Sequence, residues 1–392
     1  MREGWEYKKL GDIAIDMFRG SGIKRDQVTE SGTPCVRYGE IYTTYNIAFE
    51  ECVSHTIEEN ITPRKYFENG DLLFAITGES VEEIGKTIAY TGKEKCLAGG
   101  DIVVMKHLQN AKYLSYALSS PSAIKQKGYG KTKLKVVHTS VPSLKSISIP
   151  LPPLSEQQEI VDYLDSAFAK IDAMKANAEK AFEEGKALFQ AALKQMLEPK
   201  EGWKLKNVGD IFKSYSGGTP IKSHKEYYEG GTIPWLRSGE VCQQYIKQTE
   251  LFITEEGLNN SSAKYYPKDT VVIAMYGATA AQVGILKIEA TSNQAVCGLL
   301  PHKEYIPEFV YFWFKSIQDK LAAQAQGGAQ PNISQEKIKR VRMPILPLSE
   351  QQAIVETLDT IKSKVDQLQK NFDTIVKECD TLKQAILRQV FE

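Results

Sequence analysis

The sequence lacks any apolar run that could cross a membrane. Its 392 residues contain no stretch near the roughly 18 consecutive apolar residues that a transmembrane helix requires. The opening segment, MREGWEYKKL, also lacks the hydrophobic core of a signal peptide. We therefore expect a protein without a membrane segment that works in the cytoplasm.

Cysteines at metal-binding or redox spacing are missing too. The six cysteines are scattered without a C-x-x-C pair, which disfavours both a zinc site and a disulfide framework. The five histidines show no metal-ligand spacing either. We predict that the chain binds no metal and no cofactor of its own, and that it belongs to a reducing compartment.

Catalytic motifs are absent as well. The tripeptides at 85–87 and 130–132 end like a phosphate-binding P-loop, but Ser80 and Lys125 stand where that loop requires its first glycine. No Rossmann glycine triplet follows a predicted strand. The sequence therefore predicts a chain that is not an enzyme. An enzyme with an unfamiliar site is the disfavoured alternative.

What the sequence does contain is a repeat of half its length. LSEQQEIVDYLD at Leu154 to Asp165 returns as LSEQQAIVETLD at Leu348 to Asp359, an offset of 194 residues. GW-x4-LGDI at Gly4 to Ile13 likewise matches GW-x4-VGDI at Gly202 to Ile211. Such a repeat predicts a duplicated unit of one mixed domain and one long helix. The predicted domain boundaries are 1–153, 154–199, 200–347 and 348–392.

Within each mixed domain, short β-like runs alternate with glycine turns. In the first domain the runs Pro34–Tyr38, Asp71–Ile76 and Asp101–Met105 read as strands, and Tyr113–Leu118 reads as the start of a helix. The fold class that follows is α+β. Two mixed α/β domains are separated by two long helices, and the internal repeat is pseudo-twofold.

The two long helices carry a coiled-coil pattern. The second helix steps through apolar residues in unbroken 4,3 alternation, and the first has smaller residues at the equivalent places. We predict an antiparallel coiled coil within one chain, with Gly185 permitting close approach to the partner helix. The alternative is that each helix packs only on its own globular domain. The predicted seams are Ile160, Leu164, Ala167, Ile171, Met174, Ala178, Ala181, Gly185, Leu188 and Ala192 in the first helix, and Ile354, Leu358, Ile361, Val365, Leu368, Phe372, Ile375, Cys379, Leu382 and Ile386 in the second.

A second apolar stripe runs beside the first seam. A two-helix rod cannot bury it, so it is predicted to meet another protein or one of the globular domains. The candidate partner interface consists of Phe168, Phe182, Phe189 and Met196, with Val161 at the head of the stripe.

The loops of both domains are rich in groups that contact phosphates and base edges. Net charge is zero, which argues against bulk nonspecific binding of nucleic acid but leaves room for local basic surfaces. Arginine, glutamine and asparagine can make paired contacts to bases, and glycine lets a backbone approach closely. The candidate DNA-binding residues are Arg19, Lys24, Arg25, Arg37, Tyr38, Thr77, Lys131 and Lys133 in the first domain, and Ser216, Gly217, Gly218, Thr219, Arg237, Ser238, Gln243, Gln244, Tyr276, Thr279, Gln330 and Asn332 in the second.

Two of these arginines occupy equivalent places. Arg37 and Arg237 each begin an Arg-x-Gly-Glu sequence. We predict that both lie on a DNA-facing side. The alternative is that each pairs with its own Glu40 or Glu240 and braces the loop. The basic run from Lys125 to Lys135 is a further candidate, as a strip that follows phosphates.

These motifs together resemble a known family. SGGTP, IPWLRSGE, SNQAVCGL, GGAQPNIS and PLSEQQAIV are similar to the DNA-specificity subunit of type I restriction–modification systems. The resemblance is almost continuous in the second half. In the first half the framework matches and the loops diverge, with Arg19-Gly-Ser-Gly22 in place of the Gly-Gly-Thr-Pro turn.

The resemblance implies a function and partners. Each mixed domain would be a target recognition domain that reads one half of a bipartite site in double-stranded DNA. The helices would set the spacing and dock two methyltransferase (modification) subunits, which carry S-adenosylmethionine and methylate adenine. A separate restriction/translocase subunit would cleave DNA.

Two alternatives stay open. The chain could serve a stand-alone adenine methyltransferase, or another defence system without a restriction subunit. It could also be a coiled-coil adaptor that does not bind DNA.

Overall fold

A computed structural model describes residues 5–129, 136–324 and 332–392. The chain forms two compact units, and each contains parts of both long helices. Unit 1 comprises Met1–Ala178 and Asp373–Glu392, and unit 2 comprises Glu179–Phe372. No helix among the described residues is both long and apolar enough to span a bilayer.

Unit 1 holds the first mixed domain. Its strands are β1 (Glu6–Lys9), β2 (Ala14–Arg19), β3 (Val28–Thr29), β4 (Thr33–Val36), β5 (Ala48–Phe49), β6 (Ser54–Thr56), β7 (Tyr66–Phe67), β8 (Leu72–Ala75), β9 (Thr77–Gly78), β10 (Thr87–Tyr90), β11 (Cys96–Ala98), β12 (Ile102–His107), β13 (Val137–His138) and β14 (Ser148–Leu151). Its short helices are α1 (Leu10–Ile13), α2 (Tyr38–Thr43), α3 (Ala111–Ala117), α4 (Pro121–Gly128) and α5 (Val141–Lys145). The first long helix, α6 (Leu154–Leu197), begins in this unit.

Unit 2 holds the second mixed domain. Its strands are β15 (Leu205–Asn207), β16 (Ser214–Ser216), β17 (Ile233–Leu236), β18 (Tyr245–Ile246), β19 (Leu251–Ile253), β20 (Val271–Ala274), β21 (Val283–Leu286), β22 (Thr291–Ser292), β23 (Val296–Leu299) and β24 (Arg342–Pro344). Its short helices are α7 (Val208–Ile211), α8 (Glu255–Asn259), α9 (Pro307–Ser316), α10 (Gln318–Ala322) and α11 (Gln335–Lys339). The second long helix, α12 (Leu348–Phe391), begins here.

The two domains share one sheet topology. In unit 1 the main sheet has the order β2-β12-β8-β10-β5, and in unit 2 it has the order β16-β23-β20-β21-β18. In both sheets every neighbouring pair is antiparallel except the last, which is parallel. A two-stranded ribbon precedes each long helix, β1 with β14 and β15 with β24. The predicted α+β class and the internal repeat are confirmed.

Each mixed domain packs its main sheet and one helix against the long helices. In unit 1 the buried core joins the β8 and β12 side chains to α3, to Leu164 of α6 and to Phe391 of α12. In unit 2 the equivalent core joins β20 and β23 to α9, to Leu193 of α6 and to Leu358 of α12. Apolar burial at this junction is what holds a domain to its helices.

A buried glutamine fixes the start of each long helix. Gln157 has no exposed surface, and its Nε2 donates to Gln109 Oε1 at 2.9 Å and to the Pro152 carbonyl at 2.8 Å. Its Oε1 accepts from the backbone N–H of Asn110, the residue that caps α3, at 3.0 Å. Both N–H groups and the oxygen of this buried amide therefore have hydrogen-bond partners.

Gln351 repeats the arrangement in unit 2. It too has no exposed surface, and its Nε2 donates to the carbonyls of Glu304 and Leu346 at 2.8 and 2.9 Å. Its Oε1 accepts from the N–H of Ile306, which precedes α9, at 2.9 Å. The doubled LSEQQ motif thus ties each long helix to the helix of its own domain.

The long helices pair in antiparallel fashion within each unit. In unit 1 the Cys379 thiol donates to the Ile171 carbonyl at 3.7 Å, and Lys383 Nζ lies 2.5 Å from Asp172 Oδ1. In unit 2 the rings of Phe182 and Phe372 stack with centroids 6.1 Å apart. These contacts confirm the predicted antiparallel pair.

Gly185 permits the close approach that its position predicts. A Cβ added there would lie 2.7 Å from Leu368 Cδ1 and 3.6 Å from Val365 Cγ2, both within unit 2. Real Cβ atoms essentially never approach another atom to 2.7 Å, so the partner helix packs against a bare backbone at this point.

Three of the ten predicted seam positions of α6 are wrong, because Met174, Ala181 and Leu188 are exposed. Met174 and Leu188 are 55% and 62% exposed, and on α12 Leu382 is 46% exposed. Phe168, from the stripe beside the seam, is buried instead, and Phe182 is half-buried. Met174 and Leu188 fit a heptad pattern with Ile171, Ala178 and Gly185, and so do Phe168 and Phe182. The phenylalanines are bulkier, so placing them in the seam buries more apolar area.

Of the two predicted locations for the aromatic stripe, another protein or a globular domain, the structure shows the second for Phe168 and Phe189, which are therefore not available to a partner. Phe168 is 7% exposed and packs edge-on against Tyr116, with ring centroids 5.3 Å apart. Phe189 is 8% exposed and meets Phe312 of α9 in the same way at 6.3 Å. Phe182 and Met196 are half-buried, and Met196 packs on the core of unit 2. The stripe is covered by the chain's own domains and helices.

The buried glutamine gives a test of this junction. We expect Gln351→Leu to lower the free energy of unfolding by about 3 kcal/mol, because leucine leaves one N–H and two carbonyls buried without partners. Urea unfolding of the full chain, followed by tryptophan fluorescence, measures this.

Gln352→Leu is the matched control. Gln352 is exposed, and among the described residues its side chain bonds to Glu356 alone, on the next turn, at 3.0 Å. Its replacement should change stability by no more than about 0.5 kcal/mol. Equal losses in the two variants would contradict the role of the buried amide.

Candidate nucleic-acid interface

Unit 1 presents a groove that gathers five of the predicted residues. It has a volume of about 720 Å³, and Arg19, Lys24, Arg25, Arg37 and Tyr38 line it. Strand β2 ends at Arg19, and α2 begins at Tyr38, so the groove lies where strand and helix termini converge. Its walls therefore come from rigid elements as well as loops.

The charges of this groove are partly paired. Arg19 Nη2 lies 2.5 Å from Asp101 Oδ1, and Arg37 Nε donates to Glu40 Oε1 at 3.1 Å. Lys24 and Arg25 are exposed, and within the described part of the chain neither forms an ion pair. The positive charge that remains available for an anionic ligand belongs to those two side chains.

The Arg37 turn is braced from inside. The Glu40 carboxylate accepts from the Arg37 backbone N–H at 3.0 Å and from the buried Ser54 hydroxyl at 2.7 Å. The ion pair that the alternative predicted is therefore present. Only the Nε of the guanidinium bonds to Glu40, so the other N–H groups of Arg37 are not held by this carboxylate.

Unit 2 presents a larger groove built around the equivalent turn. It has a volume of about 1560 Å³, and Arg237, Ser238, Gln243 and Gln244 line it. Its far wall is α12. The remaining charged side chains of the lining are Glu240, Lys247, Glu250, Asp359, Lys362, Asp366 and Lys370.

Basic and acidic groups balance in this second groove. Arg237, Lys247, Lys362 and Lys370 face Glu240, Glu250, Asp359 and Asp366, which gives four charges of each sign. Lys362 Nζ lies 2.6 Å from Asp366 Oδ2 on the next turn of α12. A groove of zero formal charge attracts a phosphate backbone less than the groove of unit 1 does.

Arg237 repeats the bracing of Arg37 with one more partner. Its N–H donates to Glu240 Oε1 at 3.0 Å, and its Nε lies 3.5 Å from the same oxygen. Its Nη2 also pairs with Glu250, whose own backbone N–H donates to Glu240 at 2.9 Å. The turn is thus fixed in shape, and Arg237 lies on the groove that α12 closes.

Two neighbouring glutamines in this groove differ in their surroundings. Gln243 is exposed, and no hydrogen bond of its side chain occurs with any residue that the structure describes. Gln244 donates from Nε2 to Asp359 Oδ1 at 3.0 Å and so links the loop to α12. Gln243 is therefore available to a ligand, and Gln244 braces the loop.

The glycines of the Ser216–Thr219 loop do not serve close approach to a ligand. Gly217 and Gly218 are buried, and their backbone N–H groups donate to the Val296 and Ser292 carbonyls at 3.2 and 2.8 Å. An added Cβ would lie 2.1 Å from Ser292 O at the first and 2.3 Å from Ala263 N at the second. Their prediction as DNA contacts is wrong, because internal packing already occupies both residues.

The flanking residues of that loop are half-buried. Ser216 ends β16, and the Thr219 hydroxyl bonds to Gln294. Neither lines the groove around Arg237. The structure therefore separates this loop from the groove residues.

A second predicted cluster forms at a repeated bridge. In unit 1 the Thr77 hydroxyl lies 3.1 Å from His138 Nδ1, where β9 pairs with β13. In unit 2 Tyr276 bridges Asn332 in antiparallel fashion, and the Thr279 hydroxyl donates to the Tyr276 carbonyl at 3.3 Å. These residues lie together in each unit, apart from the Arg-x-Gly-Glu groove.

Three predicted residues, Lys131, Lys133 and Gln330, lie outside the described residues. The basic run that begins at Lys125 is not one exposed strip, because Lys127 is buried with 6% exposure. Burial lowers the pKa of Lys127 to about 7.

Sequence reasoning missed the contribution of the long helix to the unit 2 groove. Lys362, Asp366 and Lys370 follow one another at four-residue spacing, which places them on one face of α12. That spacing is visible in the sequence, beside the apolar seam of the same helix.

Comparison with known proteins identifies the family. The family model described as the type I restriction modification DNA specificity domain matches residues 2–181 and 200–375. The chain belongs to this family of type I restriction–modification specificity proteins. The two matched segments coincide with the two copies of the internal repeat.

Individual specificity proteins match this chain over segments of different length. The EcoR124I/EcoR124II specificity subunit of Escherichia coli is 32% identical over 230 residues, which cover 55% of this chain and 55% of that protein. The MjaVIII specificity subunit of Methanocaldococcus jannaschii is 21% identical over 406 residues, 96% of this chain and 90% of that protein.

Two solved structures share the fold. A chain from a study of complex assembly in the type I R-M system superposes with a TM-score of 0.80 at 18% identity, covering 99% of this chain and 97% of that one. The HsdS subunit from Thermoanaerobacter tengcongensis gives a TM-score of 0.59 at 16% identity, with 100% and 97% covered.

The buried glycines of the specificity domain provide a test. We expect Gly218→Ala to lower the free energy of unfolding by about 1–3 kcal/mol, because the new methyl group overlaps the backbone of Ala263. Gly239→Ala, in the Arg237 turn, is the control, since nothing lies within 4 Å of a Cβ there. Thermal unfolding of both variants is the measurement. Unchanged stability with lost DNA affinity in Gly218→Ala would restore the ligand-contact interpretation.

Proposed function

We propose that this chain is the DNA-recognition subunit of a type I restriction–modification complex. Each mixed domain reads one half of a bipartite site in double-stranded DNA. The observation that carries the proposal is the Arg-x-Gly-Glu turn, which lines a groove in both units of a chain from the specificity family. Two grooves of related construction but different lining suit two half-sites of different sequence.

The partners follow from the same proposal. Two methyltransferase (modification) subunits would assemble on the chain and hold S-adenosylmethionine, and a restriction/translocase subunit would join them in the cytoplasm. The relatives are specificity subunits of type I restriction enzymes by name, which supports this assignment. This chain would contribute recognition and spacing, and the chemistry would belong to its partners.

The interface with the methyltransferase subunits needs a new location on the helices. Since Phe168 and Phe189 are covered, the large apolar side chains of α6 that are more than half exposed are, among the described residues, Leu154, Tyr163 and Met174 in unit 1 and Leu188 in unit 2. We propose that these exposed side chains contribute to docking, each within its own unit.

Lys24 and Arg25, the cations of the unit 1 groove that form no ion pair among the described residues, are proposed to contact phosphates. Replacing both, in Lys24→Ala/Arg25→Ala, should weaken binding to all DNA sequences alike and reduce the slope of log K against log salt by about 2. Fluorescence anisotropy of the assembled methyltransferase complex over a salt series measures this.

Lys93→Ala is the control, because Lys93 is exposed in the same unit but does not line the groove. It should leave the salt slope unchanged. An unchanged slope in the double variant, or a loss confined to particular base pairs, would contradict the phosphate role.

Gln243 is proposed to read a base edge in the second half-site. Its free amide can bond to adenine in the major groove, so Gln243→Ala should cost about 1–3 kcal/mol for the cognate site and relax one base pair of the target. Sequencing the methylated adenines left by the variant complex measures the recognised motif.

The neighbouring variant Gln244→Ala separates reading from bracing. Its amide is engaged by Asp359, so its loss should weaken binding without changing which bases are preferred. A relaxed motif in Gln244→Ala together with an intact motif in Gln243→Ala would reverse the assignment.

A further inference from the structure

Unit 1 contains a small cavity away from the proposed DNA groove. It has a volume of about 230 Å³ and lies where the β9–β10 segment and α4 meet the long helices. This is below the roughly 300–1,000 Å³ of sites for drug-sized ligands, and it would hold about seven water molecules. Any ligand of this cavity is therefore small.

A buried lysine is the strongest polar feature of the cavity. Lys127 is 6% exposed, and its Nζ donates to Thr87 Oγ1 at 3.0 Å and to the Leu118 carbonyl at 2.8 Å. An ammonium has three N–H donors, so one is left after these two bonds. Within residues 5–129, 136–324 and 332–392, no carboxylate forms an ion pair with it.

A second lysine lines the same cavity. Lys86 Nζ donates to the carbonyls of Tyr42 and Tyr45 at 3.3 and 3.0 Å, and burial lowers its pKa. These two lysines leave a positive potential that is only partly compensated, because Lys127 forms no ion pair among the described residues and the charge of Glu83 raises the pKa of Lys86 against the effect of burial.

The other charged groups of the lining do not cancel this potential. Lys383 of α12 is paired with Asp172 at 2.5 Å. Glu82 and Glu83 also line the cavity, but both are exposed, so solvent and salt screen their charges. When Lys127 is protonated, its ammonium therefore dominates the interior.

The other repeat lacks Lys86 and Thr87 at the equivalent backbone positions. The Gly85 N–H bonds to the Ala75 carbonyl in unit 1, and the Ala281 N–H bonds to the Ala274 carbonyl in unit 2. The next two residues are Lys86 and Thr87 in the first case and Gln282 and Val283 in the second. These two polar residues are therefore features of unit 1 and not of the shared fold.

We propose that this cavity binds a small carboxylate with a short hydrocarbon body. The carboxylate would accept from the remaining donors of Lys127 and Lys86. The hydrocarbon would contact Ile124 of α4, Phe168 of α6 and Leu387 of α12, which form apolar walls. A ligand there contacts the mixed domain and both long helices of unit 1 at once, and so stabilises their junction.

Thermal unfolding of the full chain tests this proposal with butyrate as the probe. At ten times its dissociation constant, butyrate should raise the midpoint by roughly 3–6 °C, and the shift should saturate. Butyramide, its uncharged analogue, and sodium chloride at matched ionic strength should give no such shift. A shift from inorganic phosphate as large as that from butyrate would overturn the choice of a carboxylate.

Variants locate the effect. Lys127→Met should abolish the butyrate shift, and the chain should still fold because a buried unpaired cation is replaced by an apolar side chain of similar length. Lys125→Met is the matched control, since Lys125 is exposed on the same helix, and it should retain the shift. Lys86→Gln, which installs the residue of the other repeat, should weaken butyrate binding at least threefold by calorimetry. Absence of a butyrate shift in the native chain, or its persistence in Lys127→Met, would overturn the site.

Discussion

The buried carboxamide at the start of each long helix is the constraint on which the rest of the architecture depends. A helix of 44 residues carries no information about its own direction relative to a neighbouring domain. Gln157 and Gln351 supply that direction, because each satisfies one N–H and two carbonyl-type acceptors at the entrance to a domain helix. Leaving those groups unpaired in a dry interior costs several times what a surface hydrogen bond contributes, so the angle is strongly determined.

Once the start of each long helix is fixed, α6 and α12 pack against each other along their length. The contacts between them differ from one turn to the next. Gly185 allows Leu368 to pack against the backbone of α6, while Phe182 meets Phe372 one turn away. The first contact needs a residue without a side chain on α6, and the second needs an aromatic ring on each helix. Such alternation suits a hetero-pair of helices within one chain better than a pair of identical helices.

Sequence patterns predicted most of the fold and less of the site. Strands β4, β8 and β12 and helix α3 lie where apolar periodicity and turn residues placed them, because these are local signals. Three seam positions of α6 were predicted wrongly because the aliphatic set with Met174 and Leu188 and the aromatic set with Phe168 and Phe182 have the same heptad spacing. Only the tertiary structure shows that the aromatic set packs inward. The prediction of Gly217 and Gly218 as DNA contacts was wrong for a related reason. In a sequence, a glycine that a neighbouring backbone requires cannot be distinguished from one that a ligand requires.

The bracing of Arg37 and Arg237 bears on what these side chains can recognise. An arginine paired with a carboxylate carries little net charge towards a phosphate, and the nearby carboxylate repels one. A base edge presents a neutral pattern of donors and acceptors, to which a fixed guanidinium can still offer its unused N–H groups. Pairing with Glu40 or Glu240 also removes rotamer freedom before binding, which lowers the entropic cost of a directional contact. The ion pair and the DNA contact, which the sequence presents as alternatives, are therefore compatible, and together they favour base edges over phosphates as the target of both arginines.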